Sequence, residues 1–188
     1  MIYIRDEEFI RGDCPMTKEE VRILSTAKLE LEEDYRVLDI GAGTGSVSIQ
    51  IAKICPKGEV TAIEKDEEAL KVIKLNKEKF KTGNLNIVEG EAMGVEKDIQ
   101  APFDAIFIGG SGGSIEKIIE SYDLKLKKGK NMVLNFITID NLYKAMNTLK
   151  SLDYNVECMQ ISVNKNRGKS YMMFSNNSIF ILTGTKTK

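Results

Sequence analysis

The sequence predicts a doubly wound α/β domain: a mainly parallel seven-stranded sheet, helices on both faces, and an antiparallel hairpin at one edge. Three observations carry this expectation. Strand-like and helix-like segments alternate through most of the chain, and such helices serve as crossovers between parallel strands. A glycine-rich turn stands directly between the first strand and the helix after it, where sheets of this kind receive a ligand. The last two strands have no helix between them, so they pair antiparallel. A length of 188 residues suits one domain, divided into an entry segment (1–31), a βα core (32–151) and a C-terminal hairpin (152–188).

In chain order, residues 18–31 read as an amphipathic helix with Val21, Leu24, Ala27 and Leu31 inward. Residues 36–40 (RVLDI) are a short apolar run that ends in the glycine turn. Residues 44–54 place Val47, Ile51 and Ile54 at helical spacing. After the Pro56-Lys57-Gly58 breaker comes a strand at 59–64, then a helix capped by Asp66 and running to about Phe80. Strands follow at 85–89, 103–108 and 131–137. The last of these (NMVLNFI) is apolar enough for burial on both faces. A helix precedes it, ending near Leu126, and another follows at 139–151. Strands at 154–163 and 177–184 close the chain.

Composition narrows the chemistry. Hydrophobic residues at 42% and charged ones at 29% exclude wholesale disorder. The chain has no histidine, which removes Ser-His-Asp and Cys-His nucleophile systems and His-ligated zinc. Cys14, Cys55 and Cys158 are widely spaced and form no CxxC, so no metal site is expected and the thiols read as reduced. The charge-broken start reads as no signal peptide, and no apolar stretch is long enough to span a membrane. A cytoplasmic protein is expected. The net charge of −1 hides an asymmetry: no acidic residue follows Glu157, whereas Lys165, Arg167, Lys169, Lys186 and Lys188 do.

The principal motif is Val37-Leu38-Asp39-Ile40-Gly41-Ala42-Gly43-Thr44-Gly45-Ser46. Its glycines allow a sharp turn and close approach of a ligand to backbone, and the next helix offers free N–H groups. The spacing is G-x-G-x-G rather than the G-x-G-x-x-G of nicotinamide enzymes, which favours a ligand without a pyrophosphate. The amino-acid part of S-adenosylmethionine fits, with Asp39 near its ammonium. Glu64, at the end of the second strand, is placed to accept both ribose hydroxyls. After the third strand, Ala92 leaves room for a flat base and Met93 gives it apolar cover. The Gly109-Gly110-Ser111-Gly112-Gly113 loop admits ligand closely, and Asn135 ends the fifth strand beside the same crevice.

With these residues assembled, the chain resembles a Rossmann-like class I S-adenosylmethionine-dependent methyltransferase over nearly its whole length. The opening Asp6-Glu7-Glu8-Phe9-Ile10-Arg11, followed by Pro15-Met16-Thr17-Lys18-Glu19-Glu20-Val21-Arg22, is more specific. It resembles the decarboxylating cobalt-precorrin-6B methyltransferases of cobalamin biosynthesis. The ending Asn176-Asn177-Ser178-Ile179-Phe180-Ile181 is similar too, although Ser178 stands where that family often has proline.

The resemblance implies a homotetramer that methylates carbon 15 of an anionic tetrapyrrole and removes carbon dioxide from the ring C acetate. It implies cofactor contacts at Thr17, Gly41, Ala42, Gly43, Thr44, Gly45, Glu64 and Ala92. Thr17-x-x-Glu20 also reads as a helix capping box. Arg11, Asn135, Arg167 and Lys169 are candidates for binding the polycarboxylate substrate, with Lys165 in the same loop. No general base is singled out; Asp104, Glu8 and Tyr171 remain candidates. Neither a nucleic-acid nor a membrane partner is expected, the pI being about 5.8. A methyltransferase of RNA or another small molecule, and a cofactor-binding regulatory subunit without catalysis, stay open as alternatives.

Overall fold

The computed structural model describes residues 3–110, 112–167 and 171–188, with only the backbone of Arg167. Strands β1 (Arg36–Ile40), β2 (Glu59–Glu64), β3 (Leu85–Glu89), β4 (Phe103–Ile108), β5 (Leu126–Phe136), β6 (Tyr154–Ile161) and β9 (Ile179–Lys186) form one sheet in the order β3-β2-β1-β4-β5-β9-β6. The first five run parallel, and β9 lies antiparallel between β5 and β6. Between β6 and β9 the chain makes a separate two-stranded ribbon of β7 (Asn164–Arg167) and β8 (Met172–Ser175). From sequence alone these residues read as a loop, because Asn, Lys and Met there show no alternation.

Helices α1 (Glu19–Lys28), α2 (Ser46–Ile54), α3 (Glu67–Phe80), α4 (Ala92–Val95), α5 (Ile115–Asp123) and α6 (Ile139–Ser151) complete the chain. Two apolar cores flank the sheet. One joins Leu38, Ile40, Ile106, Leu134 and Leu182 to α5 and α6. The other joins Val37, Val60, Ala105, Val133 and Ile181 to the residues of α1, α2 and α3. Each fully buried aliphatic side chain contributes about 1.5–3 kcal/mol, and β4, buried at every position, is shared by both cores.

Two helix readings are corrected. The helix-start cap at Thr17 does not form: Lys18 is the N-cap residue and supplies no side-chain bond. Glu20 is instead paired with Lys165. On α1 the buried residues are Val21, Arg22, Ser25 and Thr26, while Ala27 is exposed. The Arg22 guanidinium makes this polar face necessary. It donates to the carbonyls of Thr17 (2.8 Å) and Ile4 (2.5 Å) and to Asp6 Oδ1 (3.1 Å), so it anchors the entry segment to the domain. By contrast, Asp66 caps α3 as expected, accepting from the Ala69 N–H.

The chain runs from β1 outward through β2 to β3, then returns to β4 on the other side of β1. The connections after β1 and β4 therefore lead to α2 and α5 on opposite faces of the sheet, and a crevice opens at the carboxyl ends of the strands.

Candidate active site

A cleft of about 550 Å³ occupies that crevice. Gly41, Ala42 and Gly43 form one wall after β1, and Glu64, Lys65 and Asp66 follow β2. Gly90 to Met93 follow β3, Gly109, Gly110 and Gly112 follow β4, and Asp13, Cys14, Pro15 and Thr17 close it from the entry segment.

The turn after β1 is fixed from both sides. The N–H groups of Gly41 and Ala42 both donate to the Ile63 carbonyl, at 2.9 and 3.1 Å. Gly41 has φ +72°, and a Cβ built there would lie 2.7–2.9 Å from the Gly110 backbone. Gly45 has φ +76° and faces Ile73, 2.3 Å from an added Cβ. This explains why only part of the motif reaches the cleft. Gly41, Ala42 and Gly43 line it, whereas Thr44 is buried inward and Gly45 packs on α3. Thr44 and Gly45, expected as ligand contacts, are not among the residues lining the cleft and turn the chain into α2.

Glu64 is held by three backbone donors. Its Oε2 accepts from Gly43 N–H (2.7 Å), and its Oε1 accepts from the N–H groups of Lys65 (2.8 Å) and Asp66 (2.9 Å). A carboxylate has about four acceptor positions, so one remains for a ligand hydroxyl. The carboxylate thus ties the glycine turn to the end of β2 in addition to facing the cleft. Ala92 lies at the cleft wall, its carbonyl accepting from the buried Tyr122 hydroxyl at 2.7 Å. Met93 lines the wall beside it.

Asp39 lines the cleft floor from a fully buried position. Its Oδ2 accepts from the Ser48 hydroxyl, and its Oδ1 has no partner. Burial pushes the carboxyl up to about 7; the Ser48 bond opposes this and the Glu64 charge adds to it. An orphaned acceptor in a low-dielectric site favours a cationic donor. Asp13, Glu64, Asp66, Glu68 and Glu91 also line the cleft, against Lys65, which pairs with Glu91 at 3.6 Å. This field suits a ligand carrying positive charge. Cys14 reaches the cleft, but burial and the Asp66 and Glu64 charges raise its pKa. That keeps it a thiol rather than a nucleophile.

The remaining candidates fall elsewhere. Asp104 sits at the opposite, amino end of β4, accepting from Arg36 N–H (3.0 Å) and pairing with Lys127 (2.6 Å). Burial works against its ionisation, but Lys127, the Arg36 N–H and Lys130 outweigh this and hold its pKa below the ordinary value. Glu8 accepts from Arg5 N–H at 3.0 Å, and Tyr171 is exposed on the ribbon turn. None of the three lines the cleft. Arg11 is half exposed, 3.8 Å from Asp6, and also outside it. Asn135 lines a smaller adjoining cleft. Lys169 and the Arg167 side chain lie outside the described residues. Sequence reasoning missed Asp13, Cys14 and Pro15, whose approach to the cleft depends on the buried Arg22 anchor.

Comparison with known proteins accords with this architecture. Residues 8–186 match the precorrin methyltransferase domain family. A probable cobalt-precorrin-6B C(15)-methyltransferase (decarboxylating) of Sulfurisphaera tokodaii is 42% identical over 187 residues, covering 97% of each chain. The cobalt-precorrin-6B C(15)-methyltransferase (decarboxylating) of Salmonella typhimurium is 37% identical over 187 residues, covering 97% of this chain and 96% of the relative. The crystal structure of a precorrin-6y C5,15-methyltransferase from Geobacter metallireducens superposes with a TM-score of 0.93. It is 39% identical and covers 98% of this chain and 97% of that one.

Proposed function

The chain belongs to the precorrin methyltransferase family, and on that premise we propose that it methylates carbon 15 of cobalt-precorrin-6B with decarboxylation, in cobalamin biosynthesis. The observation that carries this reading is likeness to named decarboxylating methyltransferases along the full chain. An acidic cleft at the strand ends supplies the matching site. The carboxyl group lost is read as the ring C acetate, and the enzyme as cytoplasmic; no helix among the described residues is long and apolar enough to cross a membrane.

S-adenosylmethionine, when bound, supplies an electrophilic methyl group on a sulfonium whose leaving group is neutral. The glycine turn Gly41–Gly43 gives it bare backbone, Asp39 attracts its ammonium, and Glu64 takes a ribose hydroxyl. Ala92 and Met93 flank its base. Alignment alone can supply much of the rate, since well-oriented reactions reach effective molarities of about 10⁵–10⁸ M. A histidine-free chain is adequate to that task. The test is mass spectrometry of products from purified cobalt-precorrin-6B and the cofactor. Gain of a methyl group with loss of carbon dioxide supports the reading; cofactor binding without product overturns it in favour of a regulatory subunit.

Asp39 gives the cofactor site a pH dependence. Its carboxyl is neutral below its pKa of about 7 and ionised above it, and a cationic amine favours the ionised form. Cofactor affinity is expected to weaken as pH falls from 8 to 6, by up to about tenfold. Titration calorimetry of Asp39→Asn should show weaker binding with this profile flattened; a flat profile in the unaltered protein would sink the assignment.

We also read the protein as a homotetramer. The β7–β8 ribbon exposes Met172 (58%), Met173 (61%) and Phe174 (39%), a patch that calls for cover. Light scattering should give a four-chain mass, and Met172→Asp with Met173→Asp should reduce it. An unchanged tetramer would place the interface elsewhere.

A further inference from the structure

We propose that a second, uncharged cleft beside the cofactor site holds the substrate carboxylate that leaves as carbon dioxide, and that its lack of charge promotes the departure. The inference rests on the proposed function and adds the site of decarboxylation to it. This cleft is about 220 Å³ and shares Gly109, Gly110 and Gly112 with the larger one. A group seated there adjoins the site of methyl transfer. Its other walls include Asn135, Ile137 and Asn141.

No residue lining this cleft, among those described, carries a charge; Asn135 and Asn141 supply its polar side chains. Asn135 Nδ2 is buried without a partner, while its Oδ1 accepts from the Ser25 hydroxyl at 3.0 Å. Because a hydroxyl both donates and accepts, one amide atom of Asn135 stays unused in either orientation. At the mouth, the lining residue Ile137 is 72% exposed. It offers apolar surface to the face of a flat macrocycle.

The charge pattern separates the two halves of the reaction. Carboxylates around the cofactor cleft repel a substrate carboxylate and direct it to the neutral cleft. During decarboxylation the C–C bond to the carboxylate breaks and carbon dioxide leaves. The bonding electron pair passes into the conjugated ring system, and the side-chain methylene takes a proton from solvent to become a methyl group. Negative charge therefore leaves the carboxylate as the transition state forms. A cation at the carboxylate would stabilise the ground state more than the transition state and slow the step. Neutral amides fix the group without that penalty, and an uncharged surrounding disfavours localised charge.

Asn141, half-buried near the start of α6, allows substitution without disturbing either core. Asn141→Lys should lower the KM for cobalt-precorrin-6B yet slow single-turnover release of carbon dioxide at least about tenfold, with cofactor affinity unchanged. Asn141→Asp should raise KM through like-charge repulsion. A lysine variant that binds substrate more tightly and releases carbon dioxide at the original rate would overturn the proposal. So would the absence of any effect in both variants. Unaltered protein that binds substrate but makes no product overturns the proposed function itself, a separate outcome.

Discussion

Gly41→Ala is expected to weaken cofactor binding at least about tenfold and to lower the melting temperature by roughly 4–8 °C. The left-handed backbone at φ +72° costs an L-residue with a Cβ about 1–2 kcal/mol. The added methyl would also meet the nitrogen, Cα and oxygen of Gly110 at 2.7–2.9 Å, all backbone atoms with no side-chain freedom to yield. Relief requires the loops after β1 and β4 to separate, and those loops are the two walls of the cleft. Gly83→Ala is the control, since nothing lies within 4 Å of its added Cβ. Calorimetric titration and thermal melting of both variants check the prediction. Equal cofactor affinities would show that the close approach of the loops is immaterial to binding.

Arg22→Met should have the largest effect on stability, about 3–5 kcal/mol, or a melting temperature lower by roughly 10 °C. The side chain is fully buried, packs over the Phe9 ring at 4.8 Å, and serves Asp6 and two carbonyls. Its removal leaves the Thr17 and Ile4 carbonyls without that donor and Asp6 with Arg11 at 3.8 Å. Because Asp13, Cys14, Pro15 and Thr17 line the cleft, cofactor affinity should fall as well. Arg22→Lys keeps the charge but not the planar fork that reaches several acceptors at once, so it should recover only part of the loss. Faster amide exchange in residues 4–17 of the methionine variant would verify the route; unchanged exchange there with weakened binding would contradict it.

The sheet was legible where apolar runs were short and bounded by breakers. The strands at 36–40, 59–64, 85–89 and 103–108 and the helix at 139–151 stand where the pattern placed them. The pattern failed where charges or polar groups take structural work. β5 begins at Leu126, through Lys127 and Gly129, because Lys127 pairs with Asp104 across the sheet and a register shift absorbs the irregularity. On α1, helical spacing pointed Ala27 inward, whereas the fold buried Arg22, Ser25 and Thr26. Their hydrogen-bond partners include distant groups such as the Ile4 carbonyl and Asn135.

By itself, the sequence determined the order of the main-sheet strands and the five longer helices, the glycine turn with Glu64 in register behind it, and the resemblance that named the family. These are local signals: apolar period, breakers, and residue types whose conformational limits act within a few positions. Tertiary structure decided which motif residues face the cleft, turning Gly41 to Gly43 toward it and Thr44 and Gly45 away. It also sent Asp104 to the far end of its strand and brought Asp13 to Thr17 over the site. Each outcome depends on contacts between segments far apart in the chain, such as Gly41 against Gly110 or Arg22 against Ile4, which no local pattern encodes.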